Sequence, residues 1–159
     1  MSGTVVGPIG TLGNVVSFTK SGRVFLDLDN LICLVGSMGQ TTNWATLRKV
    51  GDTSGYQVPT GKSFVAWSYV FICNTNAGPI YYAYGDNDVG FASSSAPTSA
   101  KYPGNDVGTG VIGRTTTATE TIDGNLGLFS VPTGKYPAFS GSGGAGGTSG
   151  NIFVFGYEV

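Results

Sequence analysis

The stretch SGRVFLDLDN, residues 21–30, alternates between apolar and polar positions. Val24, Leu26 and Leu28 fall to one side, and Phe25, Asp27 and Asp29 to the other. A period of two marks a half-buried strand. SFVAWSYVFICN, residues 63–74, runs through Val, Phe, Tyr and Ile without a breaker. It predicts a central strand buried on both faces. The tyrosine-rich GPIYYAYGD, residues 78–86, predicts the next strand, and the turn residues NTNAGP between them predict a hairpin. Residues 90–110 are small and polar, which predicts a long surface loop. Further strands are predicted in VIGRTTTATETID (111–123), NLGLFSV (125–131) and NIFVFGYEV (151–159), the last after the glycine-serine loop SGSGGAGGTSG.

Helix signals are scarce. In TTNWATLRKV, residues 41–50, a helix would gather Trp44, Leu47 and Val50 on one side with Thr42 or Asn43 as its cap. The same residues alternate as a strand, and the surroundings favour that reading. Many short strands separated by turn residues predict an all-β chain, a single β-sandwich or barrel. We divide it into an N-terminal arm, residues 1–20, and a sandwich domain, residues 21–159.

One five-residue string occurs twice, as Val58–Lys62 and as Val131–Lys135: VPTGK. Proline suits the second position of a turn and glycine the fourth, so each copy is read as a tight turn joining two strands. In this reading Lys62 and Lys135 keep the turn ends in water.

Composition narrows the class of protein. Charged residues make up 11% of 159, against about 25% in a typical soluble domain. Lys and Arg total 8 and the net charge is −1, so no basic stripe exists to neutralise phosphates, and nucleic-acid binding is not expected. A nearly uncharged surface offers little repulsion between copies. No run approaches 18 apolar residues, so no spanning helix is expected. The first residues lack a charged start followed by an apolar run, so they do not read as a signal peptide.

Candidate chemistry is sparse. The chain has no histidine, which removes every Ser-His-Asp, Cys-His and His-metal arrangement. Asp27 and Asp29 share a strand face about 7 Å apart, a spacing open to a glycosidase pair but commoner for solvated aspartates. In YGDNDVG, Asp86 and Asp88 are weak candidate calcium ligands beside Asn87, and a plain turn is the other reading. Trp67, Tyr81, Tyr82 and Tyr84 are candidate glycan-stacking or interface aromatics. Cys33 and Cys73 sit in apolar runs, as buried thiols or as one bridge. We expect no catalytic residue, no cofactor and no enzymatic activity.

A turn of the form VPTGK entering a long apolar strand, as in YQVPTGKSFVAWSYVFI, resembles the hairpins of viral jelly-roll proteins. So does its return before a glycine-rich loop and a final strand. These proteins include capsid-decoration and head-surface subunits, and the resemblance covers about residues 50–159. It implies an eight-strand jelly-roll sandwich that forms homotrimers or larger rings. It implies a structural virion protein on the particle surface, in contact with a major capsid protein, as in a bacteriophage. Two other expectations stand beside it. One is a carbohydrate- or receptor-binding module of a tail or fibre. The other is the subunit of an extracellular filament that donates its N-terminal segment as a strand.

Overall fold

The computed structural model describes residues 16–18, 24–26, 31–38, 44–91, 93–103, 110–141 and 148–159. Among these the chain forms strands and no helix. A small antiparallel pair joins β1 (Val16–Phe18) to β2 (Val24–Leu26). The expected boundary at residue 20 falls between these two strands, and residues 1–15 lie outside the described residues.

The other nine strands build two antiparallel sheets. The five-stranded sheet contains β3 (Leu31–Met38), β5 (Arg48–Lys49), β6 (Phe64–Thr75), β9 (Thr121–Val131) and β11 (Ser149–Glu158). Its order is β5-β3-β11-β6-β9. The four-stranded sheet contains β4 (Trp44–Thr46), β7 (Pro79–Gly85), β8 (Val111–Arg114) and β10 (Tyr136–Gly141), in the order β4-β10-β7-β8. The sheets face each other across one core. Leu34, Phe71, Ile152 and Val154 come from the first sheet, and Ile80, Tyr82 and Phe139 from the second. The all-β sandwich expected from the sequence is therefore present. The candidate helix in residues 41–50 resolves into β4 and β5 where it is described.

Strand neighbours differ from expectation. β6 and β7 are consecutive but belong to different sheets, so NTNAGP crosses the sandwich and does not close a hairpin. β6 is instead hydrogen-bonded between β11 and β9. Its expected burial on both faces is met on one, since Phe71 is buried and its neighbour Ile72 is 39% exposed. The stretch 111–123, expected to be one strand, is divided between β8 and the start of β9. Between them the Glu120 carboxylate accepts the N–H groups of Thr116 and Thr117 at 2.6 and 3.1 Å and so fixes a turn.

The VPTGK copies are turns, as expected, but in a different phase. The Lys62 N–H donates to the Pro59 carbonyl at 3.1 Å, which makes Pro59 the first residue of its turn and Gly61 the third. Lys135 and Pro132 repeat the bond at 3.2 Å. Gly61 and Gly134 have φ of 76° and 73°, and a left-handed third residue is why glycine stands there. Neither turn joins paired strands. The first leads from a non-strand stretch into β6, and the second carries the chain from β9 in one sheet to β10 in the other. The copies lie against each other. The Val58 N–H donates to the Lys135 carbonyl at 3.0 Å, and the Gly134 N–H donates to the Val58 carbonyl at 2.9 Å. The Thr133 hydroxyl donates to the Pro59 carbonyl at 2.9 Å and accepts from the Gly61 N–H at 3.2 Å. Val58 and Val131 are both buried, so each copy begins with a core anchor.

Candidate functional site

The sequence-predicted residues do not converge. Asp86 pairs with the Lys135 ammonium, and that bond holds its carboxyl below the usual range. Asp88 accepts the N–H groups of Gly55 at 3.1 Å and Gly90 at 2.7 Å, and Asn87 accepts that of Thr98 at 2.7 Å. Each of these oxygens is engaged in shaping the loop after β7. No group of three His, Cys, Asp or Glu side chains is placed to hold a metal among the described residues. Asp27 and Asp29 lie outside the described residues.

The candidate aromatics are split between the sheets. Trp67 is half-buried at a bulge in β6. Tyr82 is 0% exposed and points into the core. Its ring meets Phe129 edge-on at 5.7 Å, burial pushes its hydroxyl pKa far up, and the hydroxyl has no hydrogen-bond partner among the described residues. Tyr84 packs on the same Phe129 at 5.4 Å, whereas Tyr81 is half-buried. A shared platform of four rings is therefore not assembled. Both cysteines are free, as β11 runs between β3 with Cys33 and β6 with Cys73. Cys73 is buried, but Cys33 is only half-buried, and burial raises its pKa.

A cluster that no motif announces joins Lys49, Tyr56 and Glu158. The Tyr56 hydroxyl donates to Glu158 Oε1 at 2.8 Å, and Lys49 Nζ stands 3.4 Å from the same oxygen. Burial, reinforced by this carboxylate, raises the Tyr56 pKa. These bonds tie β5 and the loop before β6 to the end of β11. A second unannounced feature is a cleft of about 520 Å³ between β8 and β9, lined by Val111, Ile112, Leu126, Leu128 and Phe129 among others. Three residues of β9, Leu126–Leu128, stand opposite Trp67 alone. Leu128 has φ 61° and is 46% exposed. For a leucine that is a strained conformation.

The outward face of the five-stranded sheet has the most coherent chemistry. Val35, Phe153 and Val70 form one row across β3, β11 and β6, and Cys33 and Phe155 begin the next. Ile72 on the same face is 39% exposed. The first row continues to both edges, because Arg48 of β5 is paired with Val35 and Asp123 of β9 with Val70. It therefore reads Arg48, Val35, Phe153, Val70, Asp123 across all five strands. Arg48 lies over the Phe91 ring at 4.5 Å. Among the described residues, neither Arg48 nor Asp123 has an ion-pair partner.

No protein family, curated protein or solved structure matches this chain. Among the described residues no helix is long and apolar enough to cross a membrane.

Proposed function

We propose that this chain is a non-enzymatic structural subunit that self-associates, in the setting of a virion surface. The observation that carries the reading is the five-stranded sheet, which has an apolar patch on its outward face as well as its core face. Its inward side forms the core, and its outward side presents Val35, Val70, Ile72, Phe153 and Phe155 among Ser37, Ser68 and Asn151. An apolar patch on the second face of a sheet suits cover by a further layer. A second copy supplies the missing layer, and the low charge of the chain keeps repulsion between copies small.

The jelly-roll form of the sandwich and the virion setting belong to this proposal. Support for the jelly roll comes from the chain crossing between sheets from β6 to β7, from β8 to β9, from β9 to β10 and from β10 to β11. Repeated crossing of this kind suits a double-sheet jelly roll. Support for the virion setting is the resemblance of the VPTGK turns and the strands that follow them.

Native mass measurement across a wide concentration range tests the reading. The expected result is a mass that is a multiple of the chain mass. A monomer persisting at high concentration overturns it.

A further inference from the structure

We propose that two copies dock through the outward faces of their five-stranded sheets, related by a two-fold axis parallel to the strands. The inference rests on the self-association reading and adds the surface, the register and the symmetry.

The row Arg48, Val35, Phe153, Val70, Asp123 is apolar in its middle and carries opposite charges at its ends. Four strand spacings separate those ends, roughly 19 Å, too far for the two charges to meet within one chain. Each lacks an ion-pair partner among the described residues. A two-fold axis running along the strands through the middle of the row reverses the row in the second copy. Arg48 of each copy then faces Asp123 of the other, and Phe153 meets its own symmetry mate at the centre. A two-fold axis running along the row would instead set Arg48 against Arg48 and Asp123 against Asp123. Charge complementarity selects the first arrangement.

Packed sheets lie about 10 Å apart, a gap that a long arginine and a short aspartate bridge together. Two aligned sheets pack with strand directions within about 30°, which keeps the central rows in register. The basic unit is then a dimer, in place of the trimer implied by the resemblance.

Charge reversal in the full chain tests the proposal. Arg48→Glu places two carboxylates at each end of the interface, and Asp123→Arg places two guanidinium groups there. Each variant alone is expected to dimerise at least tenfold more weakly, by sedimentation or native mass. Mixed together, the two variants form a heterodimer in which both ends are again opposite in charge, and its affinity returns to within about threefold of the unaltered chain. In that dimer the Cys33 thiol, one strand from the axis and one row from the central row, reacts more slowly with a maleimide than in the dilute monomer.

Single variants that associate as well as the unaltered chain overturn the proposed geometry and leave self-association standing. Weakened variants that do not rescue each other also overturn it. An unaltered chain that stays monomeric with Cys33 protected at every concentration overturns both, and shows that a segment of the chain itself covers the face.

Discussion

The two sheets of this sandwich solve the same problem differently. Each has one face in the core and one turned outward. On the four-stranded sheet the outward residues Thr46, Ala83, Ala138 and Ser140 are small and buried, with Trp44 and Tyr81 on the same face beside Ser140. The chain covers them with its own loop after β7. The Thr46 hydroxyl accepts the Val89 N–H at 2.9 Å, the Tyr102 ring lies 6.1 Å from that of Trp44, and a Cβ placed on Gly85 would meet Pro97 at 2.3 Å. On the five-stranded sheet the centre of the outward face is large and apolar, with Phe153 and Phe155 beside Val35 and Val70. Small side chains allow a loop to lie close, so a self-covered face is closed to partners. Half-buried apolar side chains at the centre of the other face make a surface for another layer.

Changing one residue on each face breaks the comparison open. Phe153→Asp is expected to leave a folded chain by circular dichroism and to weaken association by about 2 kcal/mol or more, the scale of a central interface residue. Ala138→Leu is expected to do the reverse. It overpacks the space under the loop, costs about 1–3 kcal/mol of stability, and lowers Tm by about 2–4 °C for each kcal/mol. Its native mass stays unchanged. If Phe153→Asp lowers Tm and leaves the mass alone, the two faces do not differ as described.

A smaller effect separates turn geometry from either face. Gly61→Ala and Gly134→Ala each place a Cβ in open space at nearly the same φ. Each is expected to cost about 1–2 kcal/mol, the penalty of a left-handed alanine, and chemical denaturation should give the two variants matching losses. Unequal losses would show that the cross-bonds between the turns matter more than φ. Tyr82→Phe removes a buried hydroxyl that has no partner among the described residues, so it is expected to raise stability, by about 1 kcal/mol. A loss on that change would reveal a hidden partner in the core shared by both sheets.

The smallest effect is acid sensitivity. Lys135 lowers the pKa of Asp86, and the N–H groups of Thr116 and Thr117 lower that of Glu120. A lowered folded pKa adds stability above the ordinary values of 3.8 and 4.5, and that stability is lost as pH falls through the folded values. Both groups sit on connections and not on either outward face. Unfolding midpoints are therefore expected to fall below about pH 4, and Asp86→Asn together with Glu120→Gln should flatten that fall.

The class of fold was legible in the sequence because periodicity is local. Alternation in residues 21–30 and the unbroken apolar run of residues 63–74 mark strands whatever their partners. Partners were not legible. β6 lies beside β11 and β9, and nothing within NTNAGP says that the next strand leaves the sheet. The same limit hid the inward side of the tyrosine strand. A period of two separates Tyr81 from Tyr82 but does not say which one enters the core. The VPTGK turns were recognisable by composition, yet their phase depended on which residue takes a positive φ. The row from Arg48 to Asp123 exists only through register, since positions 48, 35, 153, 70 and 123 have no order along the chain.

The place of β11 has a consequence for how the molecule is made. It is the last of the strands, and it lies in the middle of the five-stranded sheet with β3 on one side and β6 on the other. Before residues 149–158 leave the ribosome, that sheet exists only as two separate pieces, β5 with β3 and β6 with β9. Both pieces carry apolar residues that have nowhere to go. The core cannot close until β11 has been made, so until then the growing chain carries β3 and β6 without the strand that lies between them.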